Sequence, residues 1–290
     1  MKTLYVSDLD GTLFSSEIRI SERSADMLNR AIDCGALFTV ATARTPATLG
    51  MLLRDIHLRL PAIVMTGATM WDRSTGHYLN THYFLPGQVE EIRRIYREYG
   101  MSSFMYTLSD DMIKVYHQGP LSDMERDFIA ERRHNPYKKI MVDYDEHSDI
   151  PPYPEDGVLF FAMQPSEKGH PAFEALKGLE GINPMIYNDA NHPEIAMIEA
   201  FPAGATKAKA IRRLAHETGA ERIVAFGDNF NDLPMLHEAD VAVAVGNAIP
   251  EVREAADRVI GHHDTDAVAE FILTDFMESR PPVQTRLFSL

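Results

Sequence analysis

The sequence predicts an α/β fold: a Rossmann-like parallel sheet built from both ends of the chain, with an α+β domain inserted between them. Three observations predict it. Apolar runs of four to six residues without polar alternation recur in residues 1–80 and again in 193–290, as expected for parallel strands covered on both faces. Stretches of helical period separate these runs, the signature of βαβ units. Residues 81–192 follow a different pattern, in which several apolar runs follow one another with fewer intervening helices.

The elements follow in order. Leu4 to Val6 reads as the first strand, and a helix follows from about Ser21 to Asp33, with Ser21 as its cap and Gly35 as its stop. Leu37 to Ala41 is the second strand; after another helical stretch, Ala62 to Met65 reads as a third strand of the same sheet. The middle carries a helix at Val89 to Tyr99, strands at Met112 to Tyr116, Ile140 to Tyr144 and Val158 to Met163, and a helix near Ala172 to Leu179. The first pattern then returns: a helix from about Thr206 to Thr218, Ile223 to Phe226, a short helix near Leu233, Val241 to Val245, and a helix from about Pro250. The expected division is therefore a core of 1–80 with 193–290 and an inserted domain of 81–192. The tail after Glu278, with its Pro-Pro break and later apolar residues, reads either as a frayed end or as a segment docked on the body or on a second subunit.

At 290 residues and 45% hydrophobic, the chain can bury a large core. It has no run near the roughly 20 apolar residues of a membrane span, and its N-terminus reaches acidic residues too early for a signal peptide, so a cytoplasmic location is expected. The single cysteine, Cys34, falls in a helical segment and is expected to be a buried structural thiol. A net charge of −15 opposes attraction to nucleic acid or anionic lipid, which excludes both as expected partners. The same charge means that binding a phosphorylated substrate requires local cations or a metal.

The first strand runs directly into Asp8-Leu9-Asp10-Gly11-Thr12. This puts two carboxylates at the C-terminal edge of a parallel strand, where open α/β sheets bind their ligands. Residues i and i+2 of a strand face the same space, and Gly11 permits a sharp departure of the chain. Taken alone, the motif also fits a turn or part of a calcium site. A second acidic loop, Gly227-Asp228-Asn229-Phe230-Asn231-Asp232, follows another apolar strand. Four acidic groups at one sheet edge repel one another unless a cation joins them, and hard oxygen ligands with open positions suit Mg2+. Thr42 follows the second strand, and Lys207 opens the helix that begins near Thr206. Together they supply a hydroxyl, a cation and helix N-terminal amides, the groups that hold phosphoryl oxygens.

These four segments, in this order, resemble the haloacid dehalogenase-like superfamily of phosphatases, and specifically its Cof-type subfamily. The superfamily pattern of D-x-D-G-T, a Ser or Thr after the second strand, a lysine and G-D-x-x-N-D is met by DLDGT, Thr42, Lys207 and GDNFND. Only Leu13 to Ile20 separate the first loop from the next helix, which leaves no room there for a cap domain. The inserted α+β domain therefore resembles the α/β cap of the Cof-type enzymes, and VAVAVGNAIPEVREAAD resembles the subfamily's sequence after its last acidic loop. Three positions depart from the pattern: Ala43 replaces a usual Gly, Thr66 a usual Asn, and Val245 a common Met. Ala43 would matter if its backbone required a positive φ.

The resemblance implies Mg2+-dependent hydrolysis of a small phosphate ester, such as a sugar phosphate or a phosphorylated cofactor, by way of an aspartyl-phosphate. It assigns Asp8 as nucleophile and Asp10 as acid and base. It assigns Mg2+ to the Asp8 carboxylate, the Asp10 backbone carbonyl and Asp228, with Asp232 behind them. Thr42, Lys207 and Asn231 would bind phosphate or substrate, and Arg44 is a further candidate for that role. Two other readings share the fold: a phosphomutase similar to phosphomannomutase, and a non-catalytic sensor of phosphorylated metabolites.

Overall fold

The computed structural model describes residues 1–144, 156–189 and 192–279, so the expected behaviour of the tail after Glu278 concerns residues outside the described ones, apart from Ser279. In chain order the first elements are β1 (Thr3–Ser7), α1 (Glu22–Asp33), β2 (Leu37–Val40), α2 (Pro46–Leu52), β3 (Ala62–Val64), β4 (Thr69–Trp71) and β5 (Tyr78–Leu79). There follow α3 (Gln88–Glu98), β6 (Phe104–Ser109), β7 (Met112–Gln118), α4 (Asp123–Arg132), β8 (Lys138–Tyr144), β9 (Gly157–Pro165), α5 (Ser166–Lys177), β10 (Ile182–Asn188) and β11 (Ile195–Pro202). The last are α6 (Lys207–Thr218), β12 (Arg222–Gly227), α7 (Leu233–His237), β13 (Val241–Ala244), α8 (Pro250–Ala255), β14 (Arg258–Val259) and α9 (Ala267–Glu278). Among the described residues, no helix is long and apolar enough to cross a membrane.

The chain divides into two compact units. The first comprises Met1–Thr42, Gly50–Ala62 and Ile211–Leu290; the second comprises Ala43–Leu49 and Ile63–Ala210. The expected insertion at 81–192 lies within the span of the second unit, whose boundaries fall earlier and later than that insertion's.

The first unit is built on a five-stranded sheet of order β14-β13-β12-β1-β2, parallel throughout. The chain passes from β1 to β2 on one side, then returns on the other side with β12, β13 and β14. The order therefore reverses at the β1/β12 pair, the crevice where such sheets take their ligands. Ser21 caps α1 as its sequence predicts, its hydroxyl accepting from the Ser24 amide at 2.9 Å. The helix buries Met27, Leu28, Ala31 and Ile32, a stripe at helical spacing. Arg222 of β12 forms a bidentate pair with Asp275 of α9 at 2.7 and 3.1 Å, and the Tyr5 hydroxyl of β1 donates to the same carboxylate at 2.7 Å. One carboxylate thus ties the two central strands to the covering helix.

Cys34 departs from expectation, because it is exposed. It occupies the C-cap of α1, past the end of the apolar stripe, where the helix has already turned away from the core.

The second unit carries a six-stranded sheet of order β10-β11-β9-β6-β7-β8, antiparallel except for the β7/β8 pair. Strand alternation sorts its residues by face. Met105, Phe160, Ala162, Ala196, Ile198 and Ala200 pack with Ile92, Ile95 and Tyr96 of α3 and with Ala172 and Leu176 of α5. On the other face, Phe128 of α4 meets Phe104 and Phe161 with ring centroids 5.0 and 5.5 Å away. A capping box of Ser122 and Glu125 starts α4, and the buried Glu125 carboxylate also accepts from Ser102 at 2.7 Å.

The run Ala62 to Met65 is a correction to the predicted fold. Its strand ends at Val64 and pairs in a separate three-stranded sheet, β3-β4-β5, not in the parallel sheet. Met65 and Thr66 have φ of 50° and 57°, which takes the chain out of extended geometry one residue earlier than the apolar run suggests.

Candidate active site

The parallel register brings three carboxylates together. Ser7, the last residue of β1, stands opposite Phe226 of β12, and the Asp8 amide donates to the Phe226 carbonyl at 3.0 Å. Asp8 thus leaves the sheet beside Gly227, one residue short of Asp228. Asp8, Asp228 and Asp232 each present a carboxylate oxygen, all within 4.8 Å of one another. Asp8 and Asp232 are buried and Asp228 is half-buried.

After Asp8 the chain makes one wide turn, closed by the Phe14 amide donating to the Leu9 carbonyl at 2.8 Å. Gly11 sits in that turn at φ 75°, and a Cβ there would lie 2.5 Å from Asp228 Oδ2. Glycine is required both by the left-handed backbone and by the approach of this carboxylate. Thr12, nearly fully buried, donates from Oγ1 to Asp228 Oδ1 at 2.8 Å. Asp10 is exposed on the loop between them.

The second acidic loop is fixed from within. Asp232 Oδ2 accepts the amides of Asp228 at 3.1 Å and Asn229 at 3.2 Å, while the Asp232 amide donates to the Asn229 carbonyl at 2.9 Å. One Asp232 oxygen is therefore engaged in shaping the loop that carries Asp228, an arrangement that suits a supporting role behind a metal. Asn231 is half-buried on the same loop. Asn247, in the G-N-A turn after β13, reaches back to donate to the Gly11 carbonyl at 2.8 Å.

The donor set fits a divalent cation. Three clustered carboxylates, two of them withdrawn from water, repel one another strongly unless a positive charge is shared among them. Oxygen donors of this kind select Mg2+ or its relatives over thiophilic ions.

The remaining predicted residues fall on separate segments. Thr42 is buried two residues beyond β2, whose end is level with that of β1. Ala43 is not among the described residues with positive φ, so its replacement of glycine is not opposed by its backbone. Arg44 and Lys207 belong to the second unit. There Lys207 is the first residue of α6 and is 2% exposed. The preceding Thr206 accepts the Lys209 amide on its hydroxyl at 3.1 Å, an N-cap for this helix. The turn at Met65–Gly67 lies against this helix start, since a Cβ on Gly67 (φ 91°) would fall against the Thr206 carbonyl oxygen.

Thr12 and Asn247 stand within the sequence motifs, yet the motifs give neither of them a role. Their signal was position, with Thr12 two residues after Asp10 and Asn247 in a turn after a parallel strand. Only the spatial pairing shows what each one holds.

Comparison with known proteins places these features in a wider group. Residues 5–272 match the family described as haloacid dehalogenase-like hydrolase. The chain is 28% identical over 279 residues to a 5-amino-6-(5-phospho-D-ribitylamino)uracil phosphatase of Bacillus subtilis, covering 93% of this chain and 96% of that one. It is 24% identical over 271 to 281 residues to further relatives that include the pyridoxal phosphate phosphatase of Escherichia coli, where 91% of this chain and 95% of that one are covered. Among solved structures, a haloacid dehalogenase-like hydrolase from Bacteroides thetaiotaomicron superposes with a TM-score of 0.74 at 24% identity, over 95% of this chain and 100% of that chain, which shows a shared fold.

Proposed function

Because the chain belongs to the haloacid dehalogenase-like hydrolases, we propose that it is a phosphatase releasing phosphate from a small phosphate ester by way of a phospho-aspartate on Asp8. The observation that carries this reading is the meeting of Asp8, Asp228 and Asp232 at the β1/β12 edge.

In the first step an Asp8 carboxylate oxygen attacks phosphorus, and the bond from phosphorus to the leaving oxygen breaks. Asp10, entering as the acid, gives its proton to that oxygen. In the second step a water attacks the phospho-aspartate while Asp10, now ionised, takes the water's proton. The Asp8–phosphorus bond breaks and the carboxylate is restored. Asp10 suits both tasks because it follows Asp8 by two residues and is exposed to incoming groups.

Mg2+, held by Asp8, Asp228 and the Asp10 carbonyl, would offset the repulsion between the attacking carboxylate and an anionic phosphate. Thr12 keeps one Asp228 oxygen directed, and Asp232 holds the backbone that carries Asp228. Thr42, Lys207, Asn231 and Arg44 are assigned to phosphate and substrate binding. Residues 81–192 are assigned as the cap that recognises the leaving group, and a cytoplasmic location without nucleic-acid or membrane partners accords with the charge of −15.

The test is phosphate release from a panel of phosphorylated metabolites with Mg2+. The relatives named for a phosphoribitylaminouracil and for pyridoxal phosphate make those two compounds its first members. Release that stops with EDTA and with Asp8→Asn is expected. Isomerised product in place of phosphate would make the protein a mutase, and saturable binding without turnover would make it a sensor.

A further inference from the structure

Away from the acidic site, three consecutive residues between β14 and α9 gather metal-binding groups of a different chemistry. His262, His263 and Asp264 each offer one ligand atom, all within 4.8 Å of one another. Asp264 Oδ2 lies 3.6 Å from His262 Nδ1 and 3.9 Å from His263 Nε2. Ligand atoms bound tetrahedrally to zinc at about 2.0–2.1 Å stand roughly 3.3–3.4 Å apart. The three groups are thus within a small side-chain adjustment of a tripod around one ion.

Contacts from outside the triad orient two of its members. His263 Nδ1 lies 2.7 Å from the Phe14 carbonyl, which can only accept, so Nδ1 is the donor and Nε2 is the ring nitrogen on the side of Asp264. A second ring nitrogen held by a backbone carbonyl is the usual support of a metal-binding histidine. The Asp264 carboxylate accepts the Ser16 amide at 2.7 Å on one oxygen and the Ser16 hydroxyl at 2.9 Å on the other. His262 is half-exposed, with its ring 4.6 Å from that of His263; its Nδ1 accepts the Asp264 amide at 3.3 Å, so the ring must turn out of this bond to complete the tripod.

The geometry points to a second metal site here, formed by His262, His263 and Asp264 and selective for a borderline transition ion such as Zn2+. Imidazole nitrogens favour zinc and its neighbours, whereas the all-oxygen set at Asp8, Asp228 and Asp232 favours Mg2+. The site is open on one side, so water completes the coordination.

Its position gives the ion a consequence. His263 donates its amide to Asn247 Oδ1 at 3.0 Å, and Asn247 in turn donates to the Gly11 carbonyl at 2.8 Å. Phe14 and Ser16, the residues that orient the triad, follow directly on the turn that carries Asp10 and Gly11. A bound ion clamps the 262–264 turn to this segment, and so couples zinc occupancy to the stability of the loop after Asp8. The inference does not depend on the phosphatase reading.

The experiment titrates Zn2+ into the full, tag-free chain by calorimetry with Mg2+ present at saturation. One zinc ion per chain is expected to bind without displacement by Mg2+. His262→Ala, at a half-exposed position, is expected to weaken binding by about 100-fold, and Ser16→Ala, which keeps all three ligands, by about tenfold. Co2+ in place of zinc is expected to give visible absorption of a nitrogen-ligated ion in the native chain and to lose it in His262→Ala. Zinc binding of equal strength in the native chain and both variants, or zinc wholly displaced by Mg2+, would overturn the proposal.

Discussion

Thr12 Oγ1 donates to Asp228 Oδ1 at 2.8 Å, joining the loop that carries Asp8 to the loop that carries Asp228. The two loops come from opposite ends of the chain. Hydrogen bonds to a charged acceptor contribute roughly 1.5–3 kcal/mol. Thr12→Ala is therefore expected to weaken Mg2+ binding about tenfold or more, with Thr12→Ser close to native. The Mg2+ dependence of phosphate release, backed by direct titration of the ion, checks this. Equal dependence in both variants would remove Thr12 from the site.

Gly11 stands at φ 75°, and a Cβ there would lie only 2.5 Å from Asp228 Oδ2. Gly11→Ala is expected to lower stability by about 1–2 kcal/mol from the left-handed backbone alone. It also pushes Asp228 out of place, so activity is expected to fall further than the stability loss accounts for. Thermal unfolding and steady-state rates measured on the same preparation separate the two effects.

Thr66 combines a β-branched side chain with φ 57°, and its buried hydroxyl has no hydrogen-bond partner among the described residues. Both features are unfavourable, and asparagine, the residue usual here in the Cof-type pattern, tolerates left-handed backbone far better. Thr66→Asn is expected to stabilise the protein by about 1 kcal/mol, read as a higher denaturant midpoint at unchanged slope. An unchanged or lower midpoint would mean that Thr66 is not strained.

Glu199, buried on β11, has its pKa pushed up from 4.5 to about 7 by desolvation, partly opposed by the Tyr187 hydroxyl donating at 3.4 Å. Between these values the folded chain keeps the proton while the unfolded chain has lost it. Stability is therefore expected to fall as pH rises from 4.5 to about 7, by about 3 kcal/mol, and to level off above that range. Glu199→Gln is expected to flatten this part of the curve and to exceed the native chain in stability above neutral pH. Melting temperature against pH for the two proteins decides it, and parallel curves would refute the assignment.

Much of the fold was legible because its signals are local. Ser21 and Gly35 bound α1 through cap chemistry that acts within one turn, and continuous apolar runs marked β1, β2, β12 and β13 as doubly covered strands. The expectations that failed depended on surroundings. Cys34 was placed inside because helical period continues into the C-cap, although the apolar stripe stops at Ile32. Ala62 to Met65 looked like another strand of the parallel sheet, but apolar character does not state which sheet a strand joins.

The same boundary runs through the candidate site. The sequence by itself determined that an acidic loop follows each of two apolar strands, since each loop directly continues an apolar run. Only the tertiary structure decided that β1 and β12 are neighbours, that Asp8, Asp228 and Asp232 converge there, and that Thr12 and Asn247 hold the loops in place. Local periodicity encodes which face a side chain occupies, whereas strand pairing between the two ends of a chain is set by packing of the whole sheet, which no short window of sequence contains.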